Sequence, residues 1–166
     1  RKAQWFFRYG NKYYFNPGNP FVVKYLVNAI KDVVLRYDVD GIHFDDYFYP
    51  YKEKGESIED YNQFASDPRG FTNIEDWRRS NVNNLVEDVS KAIKGLKPYV
   101  KFGISPFGVW RNIDKDPLNG SDTRAGITTF DDLYADVLLW LKNGWIDYVA
   151  PQIYWSIGYS PADYTK

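Results

Sequence analysis

The order of apolar and polar positions along the chain predicts alternating strands and helices. Lys12 to Asn16 has the character of a short strand, which the turn Pro17-Gly18 closes. Asn19-Pro20 then begins a helix, with asparagine as the cap and proline in the first turn. The apolar positions that follow keep helical spacing, so one face of this helix should pack on a sheet. These positions are Val22, Leu26, Val27, Ile30, Val33, Val34 and Tyr37.

A second strand and a second helix are predicted on either side of a long connection. The strand runs from Asp40 to Asp45, and residues 46 to 72 form a polar and aromatic connection with a short helix near Ile58 to Ala65. Connections of this length are more often functional than idle. Thr72-Asn-Ile-Glu75 has the form of a capping box and marks the start of the second helix, which ends at Pro98. Its apolar positions are Trp77, Leu85, Val86, Val89, Ala92, Ile93 and Leu96.

The last part of the chain continues the alternation. Val100 to Ser105 is the third predicted strand, and a polar loop leads to a third helix over Asp131 to Asn143, with Gly144 at its C-terminal cap. Ile146 to Tyr154 is the last predicted strand, and Ser160-Pro161 is a candidate start of another helix.

This alternation implies parallel strand–helix–strand crossovers, which fit a doubly wound sheet or a TIM barrel. The barrel is favoured because every predicted strand is followed by polar and aromatic residues, as in a barrel active site. No glycine-rich phosphate loop follows a strand, which weakens the nucleotide-binding alternative. A complete (β/α)8 barrel needs about 250 residues. We therefore predict that residues 1–166 are a single α/β domain, the central part of a TIM barrel with about four consecutive βα units. The residues after the strands are Asn16, then Asp45 and Asp46, then Ser105, Trp110 and Arg111, and finally Gln152, Tyr154 and Trp155.

Composition and charge narrow the range of partners. The formal net charge is -1 with acids and bases interspersed, so no basic stripe for nucleic acid and no polybasic membrane patch is present. No apolar run approaches the roughly 20 residues that span a bilayer. The chain begins at Arg1 without a signal-like segment, and we expect a fragment whose targeting signal, if any, lies upstream. Aromatic residues make up 19% of the chain, which suits a protein that handles sugars.

The segment Asp40-Gly-Ile-His-Phe-Asp-Asp-Tyr-Phe-Tyr-Pro50 is the most informative in the chain, because an apolar strand ends there in two carboxylates. Strand alternation places His43 and Asp45 on one face and Asp46 on the other. A carboxylate at a barrel mouth can act on a glycosidic bond as nucleophile or acid/base, together with a second acid about 5.5 Å away for retention or farther for inversion. Asp45 is the first catalytic candidate and Asp46 the second. In the alternative interpretation, Asp45 caps a loop or helix and Asp46 binds backbone amides.

The remaining candidates concern substrate binding. The chain has one histidine, His43, and no cysteine, which argues against a zinc or two-metal hydrolase. We predict no metal or other cofactor, and a structural or substrate-binding role for His43. Gln152 and Arg111 have the donors to bind sugar hydroxyls, although Arg111 has the alternative of pairing with a loop acid such as Asp114. Aromatic residues beyond the strand ends are candidates for stacking on a sugar ring, with core packing as the alternative for each and Trp110 and Trp155 favoured. They are Tyr47, Phe48, Tyr49, Tyr51, Trp110, Tyr154 and Trp155.

Four motifs, taken in order, resemble the bacterial glycosyl-hydrolase-like family 10, and the match covers nearly the whole chain. The resemblance implies a TIM-barrel glycosidase domain, with this chain at about the third to sixth strands. It also implies a polysaccharide or oligosaccharide substrate outside the cytoplasm, in a periplasmic, cell-surface lipoprotein or secreted setting, with bacterial cell-wall polysaccharide as a candidate. The motifs are Asn16-Pro-Gly-Asn-Pro20, Asp40 to Pro50, Gly103-Ile-Ser-Pro-Phe-Gly-Val-Trp-Arg-Asn112 and Asp147-Tyr-Val-Ala-Pro-Gln-Ile-Tyr-Trp155.

Two wider resemblances bear on the acids. In the alpha-amylase superfamily the fourth strand carries Arg-x-Asp, whose Asp is the nucleophile, and His43-x-Asp45 is similar in placement, which favours Asp45. Chitinase-type family 18 enzymes carry Asp-Gly-x-Asp-x-Asp-x-Glu on a strand. Here His43 replaces one of those aspartates and Tyr47 replaces the glutamate. Substrate-assisted catalysis of the chitinase kind is therefore not expected.

The sequence leaves the second carboxylate open. Either Asp45 and Asp46 are the two catalytic acids, or the second acid is Glu53 or Glu56 of the long connection, or it lies on strands outside this chain. Two other classes of protein also stay open: a non-catalytic glycan-binding barrel that lacks a working acid pair, and a metal-dependent carbohydrate hydrolase that uses Asp45 and Asp46. The loop after the third predicted strand offers only Asp114, Asp116 and Asp122.

Overall fold

The computed structural model describes residues 3–165, which form a mixed α/β fold with two small sheets and four α-helices. None of these helices is long and apolar enough to cross a membrane. The strands are β1 (Phe6–Tyr9), β2 (Lys12–Phe15), β3 (Gly41–Phe44), β4 (Lys101–Ile104) and β5 (Tyr148–Val149). The helices are α1 (Pro20–Arg36), α2 (Tyr61–Ser66), α3 (Ile74–Leu96) and α4 (Val137–Lys142), and a 3₁₀ turn covers Ala3–Trp5.

The larger sheet is parallel, with its strands in the order β3-β4-β5. Ile42, Phe102 and Ile104 are buried, in the core formed with the helices. Crossovers through α3 and α4 join the three strands, so the predicted parallel topology is confirmed for them. Within residues 3–165 the sheet is open, and the barrel stays a prediction. The last strand is shorter than predicted, because only a single bridge between Phe107 and Gln152 continues the pairing beyond Val149.

The first predicted strand, β2, does not belong to the parallel sheet. It pairs antiparallel with β1, with Phe6 opposite Phe15 and Tyr9 opposite Lys12. The two-residue connection that begins at Gly10, where φ is +56°, allows a hairpin but is far too short for a parallel crossover. The expectation of four consecutive parallel strands is therefore wrong for β2, because β1 precedes it closely in the chain and pairs with it as a hairpin.

Helix α1 begins as the sequence predicts, whereas α3 begins one residue later than its predicted cap. The Phe21 amide donates to Oδ1 of Asn19 at 2.9 Å, and Pro20 occupies the first helical position. At α3 the cap is Asn73, not Thr72: its Oδ1 accepts from the Asp76 amide at 2.8 Å, and its Nδ2 donates to the Asp76 carboxylate at 2.6 Å. Thr72 and Asn73 are both capping residues followed by an acid three positions later, Glu75 and Asp76 respectively. In the structure, Asn73 and Asp76 form the reciprocal pair.

Helix α4 covers only part of the predicted span Asp131 to Asn143. Tyr134 has a φ of +55°, which interrupts a right-handed helix. Before it, the Asp132 carboxylate accepts from the Thr128 amide at 2.7 Å, and after it Asp136 caps α4 by accepting from the Leu139 amide at 3.1 Å. The helix expected after Ser160-Pro161 is also absent from residues 3–165, where that stretch forms turns.

The long connection after β3 is tied to α3 by a buried ion pair. Arg78 donates to both carboxylate oxygens of Asp60, at 2.9 and 2.5 Å, and to the Tyr134 hydroxyl at 2.9 Å. The Asp60 side chain has no exposed surface. Nearby, Asn81 of α3 donates to the Tyr49 hydroxyl at 3.2 Å. The connection is thus held against the helical layer, and it contains α2 close to the predicted short helix.

Candidate functional site

His43 is an exposed residue of β3 with both ring nitrogens hydrogen-bonded. Nδ1 lies 2.9 Å from the Tyr148 hydroxyl of β5, and Nε2 lies 2.7 Å from the Ser105 hydroxyl at the end of β4. A neutral imidazole has one donor and one acceptor, so one hydroxyl donates to His43 and the other accepts from it. The ring is therefore fixed by residues from the two other strands of the parallel sheet, Tyr148 of β5 and Ser105 after β4.

A glycine in the middle strand makes this arrangement possible. Gly103 of β4 is in register with His43 on one side and with Tyr148 on the other. A Cβ atom at Gly103 would lie only 2.0 Å from a ring carbon of Tyr148. The absence of a side chain at Gly103 therefore lets the Tyr148 ring reach across β4 and stack near His43, at a centroid distance of 5.7 Å.

Asp45 follows β3 and is exposed beside the same cavity as His43. Its Oδ1 accepts from the Asp46 amide at 2.8 Å and from Nε2 of Gln152 at 2.5 Å. Gln152 also donates to the Ser105 carbonyl oxygen at 3.0 Å, which links the ends of all three parallel strands. Among residues 3–165, Oδ2 of Asp45 has no hydrogen-bond partner. One carboxylate oxygen is thus anchored and the other is unoccupied by protein donors.

Asp46 lies in a different environment from Asp45, since it is only 3% exposed. Its Oδ2 accepts a hydrogen bond from the Tyr51 hydroxyl. Burial raises the pKa of Asp46 above its ordinary value, the Tyr51 hydrogen bond opposes this, and the charge of Asp45 adds to the rise. Burial and the hydrogen bond to Asp46 also raise the pKa of Tyr51. The two adjacent acids are therefore not equivalent.

An aromatic cavity of about 530 Å³ adjoins His43 and Asp45. The hairpin strand β2 forms one wall, α1 and α3 contribute aliphatic side chains, and the residues after β3 complete it. Of the described residues that line it, Asp45 is the only carboxylate. Aromatic rings together with an acid can hold a sugar by stacking and hydrogen bonding. The aromatic lining residues are Tyr13, Tyr14, Phe15, Phe44, Tyr47 and Phe48.

The aromatic candidates separate into exposed and packed side chains. Tyr47 and Tyr154 are 75% and 88% exposed, and of these two only Tyr47 lines the cavity. Trp110 packs edge-on against Phe130, with ring centroids 4.9 Å apart. The Trp155 indole donates to the Ala162 carbonyl oxygen and packs against Phe107. Both tryptophans, favoured for stacking on sugar, are thus engaged in packing. The other three rings have internal partners: Phe48 contacts Trp140, Tyr49 stacks on Phe7, and Tyr51 binds Asp46.

Arg111 is paired with acids, but not with Asp114. It donates from Nε to Asp131 Oδ2 at 3.0 Å and from Nη2 to Asp131 Oδ1 at 2.9 Å, and its Nη1 lies 3.5 Å from Asp116. The hydrogen bond to Asp131 is the main cause that raises the pKa of Arg111. The residue therefore holds its loop in place, rather than lying free for a substrate hydroxyl.

Two candidates for the second carboxylate also have structural partners. Asp116 accepts from the Leu118 and Asn119 amides at 3.1 Å each. Glu56 accepts from the Gly10 amide at 3.0 Å and so supports the hairpin turn. No group of three or more acidic or histidine side chains within residues 3–165 is arranged to hold a metal ion. Asp45 and Asp46 accept from different side chains, those of Gln152 and Tyr51.

The sequence gives no indication of the contacts that three residues of this site make. Ser105 and Tyr148 bind His43, and Tyr51, a candidate for stacking on sugar, binds Asp46. One local signal existed for Tyr148: Gly103 stands inside an apolar strand, where glycine often marks a close approach. Nothing near Tyr148 in the sequence indicates which residue it would meet.

An open parallel sheet, with an acid, a histidine and an aromatic cavity at the carboxyl ends of its strands, defines an α/β protein with a candidate ligand-binding site in the position usual for this class. The comparison of sequences agrees with this class. The chain belongs to the glycosyl hydrolase-like 10 family, whose model matches residues 1–166. The resemblance carried by the four motifs is confirmed.

Named relatives support a glycosidase-like role. The chain is 54% identical over 167 residues to glycosyl hydrolase YngK of Bacillus subtilis (strain 168), which covers 99% of this chain and 32% of that protein. It is 44% identical over 160 residues to glycosyl hydrolase DigH of Escherichia coli (strain K12) and to that of Shigella flexneri, covering 96% of this chain and 36% of each relative. The chain thus spans about a third of the length of these curated relatives.

Proposed function

We propose that the protein containing this chain is a glycoside hydrolase that cleaves O-glycosidic bonds of a polysaccharide or oligosaccharide, with Asp45 as its leading catalytic carboxylate. One observation carries the proposal: Asp45 is exposed at the end of a parallel strand, beside His43 and an aromatic cavity, with one oxygen unoccupied. A carboxylate so placed can attack the anomeric carbon or transfer a proton to or from the reacting oxygens.

The other site residues take supporting roles in this proposal. His43 binds a sugar hydroxyl, and Tyr47 offers a ring for stacking. Tyr154, at 88% exposure, is a further binding candidate on the segment after β5. Asp46 supports the connection after β3 through Tyr51 rather than reacting. Trp110, Arg111 and Trp155 serve the structure around the site, as their packing and ion pairs indicate.

Glycosidic hydrolysis requires a second acid, about 5–5.5 Å from the first for retention or about 6.5–9.5 Å away for inversion. We assign this acid to the rest of the protein, because Asp45 is the only carboxylate among the described residues of the cavity. The relatives extend well beyond the matched segment, which leaves ample chain to supply it.

We further propose that the chain is the middle of a TIM barrel. The parallel strands follow sequence order and their helices cover one face. His43 and Tyr148 lie on the other face, which would be the barrel interior. β3 and β5 are edge strands within the described residues, where further strands would pair. Because β2 belongs to the hairpin, the chain contributes three barrel strands rather than four.

The proposals for the cellular location and for the glycan substrate rest on the family resemblance alone. We propose an extracytoplasmic protein, periplasmic, secreted or a cell-surface lipoprotein, with cell-wall polysaccharide as the first substrate to try. Fractionation of bacteria that express the full-length protein from its own start codon tests the location. Recovery in the cytoplasm alone would contradict it.

The catalytic assignment is tested with the full-length protein on purified bacterial glycans. We expect Asp45→Asn to lower turnover by at least about 100-fold, because general acid–base groups contribute factors of this size or more. Asp32→Asn is the matched control, since Asp32 lies on the surface of α1 in a pair with Arg36. Turnover by Asp45→Asn equal to that of the parent would refute the assignment.

A second candidate function is favoured by the presence of one carboxylate, Asp45, among the described residues of the cavity. A glycan-binding barrel would keep the rings and lack a working acid pair. Binding of glycan by the parent without turnover, and unchanged binding by Asp45→Asn, would select this function instead.

A further inference from the structure

We propose that Gln152 is a positioning residue for Asp45, and that Gly108 positions Gln152 in turn. This inference rests on the proposed function and concerns the same site. It replaces the expectation that the Gln152 side chain donates hydrogen bonds to substrate hydroxyls.

The contacts of the Gln152 side chain carry the first step. Its amide nitrogen has two hydrogens and makes two hydrogen bonds, to Asp45 Oδ1 at 2.5 Å and to the Ser105 carbonyl oxygen at 3.0 Å. Both donors are therefore used within the protein. A sugar hydroxyl cannot receive either of them unless a bond to Asp45 or Ser105 is first lost.

The second step concerns Asp45. Its Oδ1 receives hydrogen bonds from two directions, the Gln152 side chain and the Asp46 amide at 2.8 Å. These two donors fix the rotation of the carboxylate and leave Oδ2, which has no donor among residues 3–165, as the oxygen available for chemistry. Catalytic rates depend steeply on such placement, and a displacement of 1 Å can cost about 100-fold.

The third step explains how Gln152 itself is held. Its backbone amide donates to the Pro106 carbonyl oxygen at 2.8 Å, and it bridges to Phe107. A Cβ atom at Gly108 would lie 2.5 Å from the Gln152 carbonyl oxygen and 2.7 Å from the Trp155 ring. The bare backbone of Gly108 therefore permits the close approach that brings Gln152 to Asp45.

Steady-state kinetics of the full-length protein on a glycan that the parent cleaves test the proposal. For Gln152→Ala we expect kcat to fall by about 10–100-fold with KM unchanged, because the substrate contacts remain and the reacting oxygen is displaced. A direct substrate contact would show instead as a raised KM. A raised KM with unchanged kcat overturns the proposal.

The variant Gln152→Glu gives a readout that a merely structural residue would not. It places a second carboxylate against Asp45, and two acids so close disfavour ionisation of both. We expect the limb of the kcat/KM pH profile that Asp45 governs to move to higher pH, which is the acidic limb if Asp45 reacts as the carboxylate and the basic limb if it reacts as the acid. A profile that coincides with that of the parent overturns the proposal.

Gly108→Ala tests the remote step, with Gly126→Ala as its matched control, because a Cβ at Gly126 meets no atom within 4 Å. We expect kcat to fall in the first and to stay unchanged in the second. Melting temperatures show whether Gly108→Ala has lost its fold. If it has, the Gln152 variants still test the proposal. Normal kinetics of Gln152→Ala, with Asp45→Asn inactive, would overturn this inference alone, whereas an active Asp45→Asn would overturn the proposed function.

Discussion

At the scale of single residues, burial separates two acids that are adjacent in the chain. Asp45 is exposed at the cavity, and Asp46 is enclosed and hydrogen-bonded by Tyr51. The same scale explains Gly103, whose missing side chain is the space that Tyr148 fills on its way to His43. Each of these residues can be tested by one substitution.

The raised pKa of Asp46 predicts how stability depends on pH. A carboxyl whose pKa is higher in the folded state contributes stability that is fully present below the unfolded pKa of about 4 and is lost as pH rises through the folded pKa. The amide introduced by Asp46→Asn does not titrate, and its oxygen can still accept from the Tyr51 hydroxyl. We therefore expect the melting temperature of Asp46→Asn, relative to the parent, to rise by a few °C between pH 4 and pH 7, measured by calorimetry.

A second variant checks the cause. The Tyr51 hydrogen bond lowers the pKa of Asp46 against the effect of burial. Because Tyr51→Phe removes this bond, that variant should lose stability more steeply than the parent as the pH rises. If the melting temperatures of Asp46→Asn and the parent differ by the same amount at pH 4 and at pH 7, the prediction is contradicted.

Gly103→Ala should displace the Tyr148 ring and release His43. We expect a loss of about 1–3 kcal/mol in stability from overpacking, and at least about a 10-fold loss of turnover. Gly95→Ala is the control, because its Cβ meets nothing within 4 Å. Alanine in a helix is up to about 1 kcal/mol more stabilising than glycine, so this variant should not lose stability. Tyr148→Phe, which keeps the ring, should reduce turnover with little change in melting temperature. Full turnover by Gly103→Ala would show that the contact has no role.

At the scale of secondary-structure elements, α3 organises the protein. It packs against α1, joins β3 to β4 and carries Arg78, which holds the long connection through Asp60. Its N-terminus is set by a reciprocal pair of side chains, Asn73 and Asp76. The cap and the ion pair make separate predictions.

The start of α3 can be located by two alanine substitutions. Asn73→Ala should cost about 1 kcal/mol, because it leaves the Asp76 amide without its acceptor. Thr72→Ala should stay within about 0.5 kcal/mol, as is usual at surface positions. Denaturant titrations measure both, and the opposite ranking would place the cap at Thr72.

Breaking the buried ion pair of Asp60 and Arg78 should lower the free energy of unfolding more than replacing both residues with apolar ones. Removing one partner with Asp60→Ala leaves a buried charge, which typically costs about 3–5 kcal/mol. Replacing both, as Asp60→Leu with Arg78→Met, should recover part of that loss. Asp32→Ala, which breaks the exposed pair with Arg36, should cost less than about 1 kcal/mol. A double variant less stable than Asp60→Ala, in thermal unfolding, would contradict this account.

At the scale of the whole molecule, the site is open. β3 and β5 have unpaired edges within the described residues, and the face with His43 and Tyr148 is exposed. Unpaired strand edges invite pairing with other chains. The cavity has a single carboxylate among the described residues, so the proposed chemistry needs more of the protein than this segment contains.

The segment 1–166 expressed alone should therefore lack turnover on a glycan that the full-length protein cleaves. Circular dichroism of the segment establishes that it retains helical structure, and the assay is run at matched concentration. Turnover by the isolated segment would show that both acids lie within it, and would return Asp46, Glu53 and Glu56 to consideration.

Several features were predictable because they depend on residues close together in the chain. Asn19 and Pro20 begin α1, the apolar spacing defines α1 and α3, and the alternation that continues just past the end of β3 separates Asp45 from Asp46. The parallel order of β3, β4 and β5 follows from the helices between them. By itself the sequence thus determined the mixed α/β class, the main helices, the candidate acids and, through its motifs, the family.

Only the tertiary structure decided the site's connections, because these join residues far apart in sequence. Asp45 and Gln152 are 107 positions apart, and His43 and Tyr148 are 105 apart. No local pattern shows that Trp110 packs on Phe130. Nor does one show that β2 pairs with β1, or that a left-handed residue shortens α4. Such outcomes follow from how packed elements share space, and local spacing does not contain that information.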